Sequence, residues 1–167
     1  MIRATSEELL LDLPGRIAVV GNGPMNRELG AEIDGHESVV RMNNYVIEKL
    51  YTGKRITCRC TSGWVDVEHR PFAIEFSPFR ADAPESVNLE NFNGRNFWPV
   101  LTAESDVHAL CPYVTRPSTG FALCVLLASL GLKFDAYGFD GFRGRATTHD
   151  GELERAVLPT LPGIVLP

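Results

Sequence analysis

Long hydrophobic runs are missing from this chain. No stretch approaches the roughly 20 apolar residues that cross a bilayer, so no membrane span is expected. Clustered cations are scarce as well. The longest basic run is Lys54-Arg55, and Lys+Arg 16 against Asp+Glu 21 leaves a net charge of −5. A nucleic-acid partner is not expected, because a phosphate backbone demands a concentrated positive face. Cysteine is sparse and wrongly spaced for zinc. Cys58 and Cys60 form C-x-C, Cys111 and Cys124 stand far from them, and no metal site is expected. The four read as buried or half-buried thiols in a reducing compartment. The first residues carry Glu7, Glu8 and Asp12, unlike a secretory signal. Residues 1–14 read instead as a short amphipathic helix ended by Pro14-Gly15. Together these absences point to a cytoplasmic protein.

What is present is ordinary globular material. The 167 residues, 44% hydrophobic and 22% charged, suffice for one domain over 1–167 with a real core. Arg16-Ile17-Ala18-Val19-Val20 is a short β-branched run, read as a buried strand. Gly21-Asn22-Gly23-Pro24 breaks it. Residues 25–33 follow with Met25, Leu29 and Ile33 at helical spacing. Ser38-Val39-Val40-Arg41-Met42 reads as a second strand, which makes a β-loop-α-β unit and opens a parallel α/β sheet. Further strands are expected over 55–60, 72–76, 97–101, 134–137 and 163–166. Helices are expected over 102–110, 121–130 and 152–158. Residues 77–96, rich in Pro, Asn and Gly, read as a long loop of the kind that often carries function.

Two segments have the chemistry of a ligand site. The glycine turn at 21–23 follows a first strand, where open α/β sheets bind ligands. A dinucleotide fingerprint fails here. Its third glycine falls on Asn26, and the second strand ends in Arg41-Met42-Asn43-Asn44 rather than in Asp or Glu. An Asn pair and an Arg suit sugar hydroxyls and phosphate, although Asn22 also serves as a plain turn former. The second segment, Arg116-Pro117-Ser118-Thr119-Gly120, opens an apolar helical run. Two hydroxyls and several free N–H groups there meet an anion at the positive end of a helix.

Histidines are the remaining candidates for acid–base chemistry. His149 follows two threonines and precedes Asp150. By residue chemistry alone it is either a general base or an incidental residue at a helix start capped by Thr148 or Asp150. His36 reads as a polar turn residue before a strand, His69 as a loop residue and His108 as the exposed face of a short helix. Trp64, Phe79, Trp98 and Tyr113 suit either sugar stacking or simple packing.

The segments Val19-Val20-Gly21-Asn22-Gly23, Glu32-Ile33-Asp34-Gly35-His36-Glu37 and Arg41-Met42-Asn43 together resemble the large sialylmotif of eukaryotic-type sialyltransferases. Pro117-Ser118-Thr119-Gly120 through Tyr137-Gly138-Phe139 resembles the small sialylmotif, with sixteen residues between Gly120 and Tyr137. His149-Asp150-Gly151-Glu152-Leu153-Glu154 is similar to the very small motif, H-x4-E. The three occur in the family's order. The resemblance implies a single Rossmann-like α/β domain, a GT-A-like variant with a mostly parallel sheet and helices on both faces. It implies CMP-sialic acid or a related CMP-sugar as donor, a glycan acceptor, no metal, and inversion at the anomeric carbon. By motif position, Gly21, Asn22, Gly23 and Asn43 would contact the nucleotide phosphate or ribose. Ser118, Thr119 and Gly120 would hold the donor at the helix N-terminus. His149 would be the catalytic base and Glu154 a supporting residue.

The match has departures. The family's further short motif with His, between the small and very small motifs, is absent. Arg143 and Arg145 are the cations in that segment, and either they stand in for its phosphate-assisting residue as supporting groups or they belong to a solvated loop. Ile17 and Gly131 stand where secretory members carry a disulfide. Gly23-Pro24 replaces the common Ser-Gly after Asn22, and the chain is short for the family's catalytic domain. Two readings remain open: an active sialyltransferase, or a nucleotide- or glycan-binding module on the same scaffold.

Overall fold

Apolar, β-branched runs set the centre of the molecule. Ile17-Ala18-Val19-Val20 and Ser38-Val39-Val40-Arg41-Met42 are strands buried at every position. Strands covered on both faces read as continuous apolar runs rather than alternating ones. In the computed structural model, residues 10–60, 117–139 and 151–167 are described in full, and 75–80 and 97–100 as strand backbone. The elements in chain order are β1 (Ile17–Val20), α1 (Gly30–Asp34), β2 (Ser38–Met42), β3 (Cys58–Cys60), β4 (Glu75–Arg80) and β5 (Phe97–Val100). There follow α2 (Thr119–Ser129), β6 (Phe134–Tyr137), α3 (Gly151–Val157), a 3-10 turn (Leu158–Thr160) and β7 (Ile164–Val165).

The strands form one sheet in the order β5-β4-β3-β2-β1-β6-β7. Every pairing among them is parallel. The chain builds outward from β1 to β5, then returns to the opposite side of β1 for β6 and β7. The order therefore reverses between β1 and β6. All carboxyl ends share one edge, and an open sheet leaves a crevice at such a reversal.

Alternating strand residues divide the core in two. Ile17, Val19, Val40, Met42, Cys58, Cys60, Phe134 and Ala136 face α2, with Leu10 and Leu158 closing over them. Ala18, Val20, Val39 and Tyr137 face Ile33 of α1, with Met25 and Leu29 packed alongside. Helices thus lie on both faces of a parallel sheet, as the sequence leads one to expect.

Several boundaries differ from expectation. The apolar positions 25, 29 and 33 do share one cluster, but only the last turn is helical. The Gly30 N–H donates to the Leu50 carbonyl (2.7 Å), so the helix begins where the chain crosses the 49–50 segment. β4 runs on to Arg80, into residues read as loop. Pro78 lies inside it and has no N–H to give, and the pairing with β5 shifts register between Phe76 and Arg80. α2 starts at Thr119, two residues before the expected position, because Ser118 caps it. The helix expected over 102–110, and most of that over 1–14, lie outside the described residues, as do Trp64, Tyr113, His69, His108 and Cys111. No helix among the described residues is long and apolar enough to cross a membrane.

Candidate functional site

The turns after β1 and β6 meet at the strand-order reversal. The Gly21 N–H donates to the Tyr137 carbonyl (2.8 Å), and the Gly23 N–H to the Gly138 carbonyl (2.9 Å). Gly138 has a φ of +70°, and a Cβ there would press on Met25 and on the Gly21 and Gly23 carbonyls. A Cβ on Gly21 would stand 2.6 Å from the Gly138 carbonyl oxygen. Only glycine lets the two backbones cross this closely. Asn22, at the tip, donates from Nδ2 to the Met42 carbonyl (3.2 Å), which ties the first turn to the end of β2.

β2 ends in a tight bend. Asn43 adopts a left-handed φ of +42°, which asparagine tolerates better than other side chains, and its N–H donates to the Cys60 carbonyl (2.8 Å). The third wall is the start of α2. A Cβ on Gly120 would stand 2.7 Å from the Phe139 ring, so the ring rests directly on the first helical turn.

These walls enclose a cleft of about 520 Å³. Asn22, Asn43, Ser118, Thr119, Gly120 and Glu154 all line it, as do Gly21 and Gly23. Residues 21 and 154 are thus neighbours around one cavity. His149, Arg143 and Arg145 lie outside the described residues. Gly151, two residues after His149, lines the cleft.

The joint between α2 and α3 is the most specific contact in the cleft. Glu154 is buried (7% exposed) and receives two hydrogen bonds from Ser118. The Ser118 N–H donates to Oε1 (2.6 Å) and the Ser118 hydroxyl to Oε2 (2.7 Å). Ser118 Oγ in turn accepts from the Phe121 N–H (3.3 Å), the ordinary N-cap bond. Both Ser118 hydrogens are therefore spent on a carboxylate. Thr119 and Gly120 follow in the first helical turn, where N–H groups have no partner along the helix.

Sequence reasoning gave Arg41 to the ligand side. Its side chain is instead fully buried on the α1 face. Nε donates to the Arg55 carbonyl (2.8 Å) and Nη2 to the Thr52 carbonyl (2.7 Å). The guanidinium lies 5.6 Å from the Tyr45 ring centroid. Burial pulls its pKa down, and the nearby Asp34 opposes that. Arg41 fastens the chain between β2 and β3. Tyr137, in the small-motif match, also turns from the cleft. Its hydroxyl donates to Glu32 (2.9 Å), and burial first, with Glu32 second, raises its pKa.

Other chemistry-bearing groups are structural. Cys58, Cys60 and Cys124 are free thiols in the core. Burial pushes Cys58 up to about 12 and raises Cys60 and Cys124 well above the ordinary thiol value, so all three are inert at neutral pH. No cluster of three His, Cys, Asp or Glu suited to a metal occurs among the described residues. His36, read as a polar turn residue, is fully buried. Its Nδ1 donates to the Glu32 carbonyl (3.0 Å), and its Nε2 lies 2.6 Å from the Asp135 carboxylate. The reason is tertiary: β6 brings Asp135 alongside it.

Among the lining residues that the sequence did not assign to the site are Phe139, Met42, Arg155 and Leu158. The i, i+3, i+4, i+7 spacing of Gly151, Glu154, Arg155 and Leu158 is the one signal that could have found the last two.

No family model and no curated protein sequence matches the chain. Solved structures do. A mammalian sialyltransferase in complex with Gal-beta-1-3GalNAc-ortho-nitrophenol is 19% identical, with a TM-score of 0.65, covering 95% of this chain and 72% of that one. A second structure of a mammalian sialyltransferase is 18% identical over the same shares, also with a TM-score of 0.65. At this identity the likeness is one of backbone architecture: the chain has a sialyltransferase-like fold.

Proposed function

We propose that the chain is an inverting sialyltransferase, which moves sialic acid from CMP-sialic acid to a glycan hydroxyl without a metal. One observation carries this reading. The asparagine turn, the Ser-Thr-Gly helix start and the Glu of the H-x4-E segment are far apart in sequence and line a single cleft. The cleft opens at the strand-order reversal, where sheets of this kind take nucleotides.

The chemistry follows from the groups present. Asn22 and Asn43 offer amide donors and acceptors to ribose and phosphate. The N–H groups of Thr119 and Gly120, at the positive end of α2, meet the phosphate as charge grows on it. Ser118 acts through its position, since Glu154 holds both of its hydrogens. The acceptor hydroxyl is a poor nucleophile at neutral pH, and His149 takes its proton as the new bond forms. The hydroxyl oxygen bonds to the anomeric carbon while the bond from that carbon to the phosphate oxygen breaks. CMP leaves from the opposite face with the electron pair, so configuration inverts. The free thiols at 58, 60 and 124 suit a reducing, cytoplasmic setting.

Calorimetry with CMP, followed by transfer from CMP-sialic acid to a β-galactoside, tests the proposal. Binding with turnover that His149→Ala abolishes is the expected result. Absence of CMP binding overturns it. Binding without transfer to any acceptor would favour the nucleotide-binding module instead.

A further inference from the structure

The described lining of the cleft contains one full positive charge, and it is Arg155. The other polar groups there are neutral, apart from the Glu154 carboxylate, which is occupied by Ser118. α3 turns Gly151, Glu154 and Arg155 toward the cleft, so two adjacent residues divide the labour. Glu154 is buried against α2, while Arg155 is exposed. No ion pair joins Arg155 to any carboxylate among the described residues. The molecule as a whole is acidic, at −5. An anionic ligand in this cleft would meet repulsion from the protein at large and attraction from this side chain.

We propose that Arg155 is a specificity-determining residue that receives the phosphate of the nucleotide. The inference rests on the nucleotide-donor reading above, though not on the identity of the base. A guanidinium matches two phosphate oxygens with parallel N–H donors, which amides and a helix end cannot do alone. Arg155 also sits in the last turn of α3, where a cation would be favourable without any ligand. That purely structural role predicts no change in ligand affinity, and so the two roles separate cleanly.

The experiment is calorimetric titration of wild type, Arg155→Gln, Arg155→Lys and Lys133→Ala with CMP, AMP, GMP and UMP, and with the phosphate-free nucleosides. Lys133 is exposed before β6, at the edge of the sheet opposite the cleft, and controls for loss of net charge. Arg155→Gln should weaken CMP roughly 10- to 100-fold and leave cytidine unchanged. Arg155→Lys should fall between, and Lys133→Ala should match wild type. Equal CMP affinity in wild type and Arg155→Gln overturns the role of Arg155 and spares the donor reading. Binding of another nucleotide in preference to CMP, still sensitive to Arg155→Gln, overturns the cytidine reading and supports Arg155. Binding of no nucleotide overturns both. Circular dichroism and thermal melting of Arg155→Gln, an exposed change, confirm that it is folded.

Discussion

Two carboxylates, Glu154 buried and Asp135 half-buried, tie distant parts of the chain together, and they differ in what they face. Glu154 joins α3 to the start of α2 across 36 residues, and Asp135 joins β6 to His36 across 99. Both are short, at 2.6–2.7 Å and 2.6 Å. Asp135 meets cationic and ring nitrogens, with Arg16 at 3.2 Å on the same oxygen, in a cluster that touches no part of the cleft lining. Glu154 meets two neutral donors at the cleft wall itself. The Asp135 contact answers His36, which the fold has buried. The Glu154 contact places a negative charge beside the helix end proposed to receive an anion. Its charge would oppose an anion there, while its two hydrogen bonds fix the geometry of the helix start.

The comparison can be broken at several points. His149→Ala should lower transfer by about 10²- to 10⁴-fold, with CMP affinity and melting temperature unchanged, as read by a coupled transfer assay and calorimetry. A lowered melting temperature would make His149 structural. Glu154→Ala leaves a buried N–H and a buried hydroxyl without an acceptor. It should cost about 2–4 kcal/mol by urea unfolding and weaken CMP as well, while Glu154→Gln keeps one acceptor and should cost less. If CMP affinity is untouched, Glu154 belongs with Asp135. Asp135→Asn should cost about 1–3 kcal/mol and leave CMP affinity alone, which keeps the two contacts distinct.

The smallest effect concerns acid stability. The Arg16 N–H donates to the Glu37 carboxylate (2.8 Å), and this bond holds the Glu37 pKa below its ordinary 4.5. A carboxylate with a lowered folded pKa adds stability above about 4.5, and that stability is lost as pH falls through the folded value. Glu37→Gln should therefore flatten the acid limb of the melting-temperature profile below pH 4.5. An unchanged limb would remove Glu37 from the account.

The central strands were legible because local and global signals agree there. Ile17-Ala18-Val19-Val20 is an apolar, β-branched run and Phe134-Asp135-Ala136-Tyr137 a mainly apolar one, both bounded by turn residues, and they pair as such. The cleft was legible through its glycines and asparagines, since Gly21, Asn22, Asn43 and Gly120 carry turn chemistry that survives without tertiary context. The link from Glu154 to Ser118 was not, because its 36-residue separation closes only in the folded chain. Arg41 was misplaced for the same reason, while His36 does stand in the turn before β2 and only its burial went unread. A charged residue on a strand reads as solvent- or ligand-facing until its neighbours are known, and here the carbonyls of Thr52 and Arg55 receive Arg41. The helical start at 25 failed differently. Apolar spacing of four records which side is covered, and an irregular chain can meet that demand without turning into a helix.

α2 is covered from Thr119 through Ala128, on every side and along nearly its whole length. A helix enclosed this way tolerates few substitutions, so the cleft wall that it supplies is effectively frozen in any lineage descended from this sequence. Drift toward new ligands would have to enter through the opposite rim, at exposed positions such as Asn22, Pro24 and Arg155.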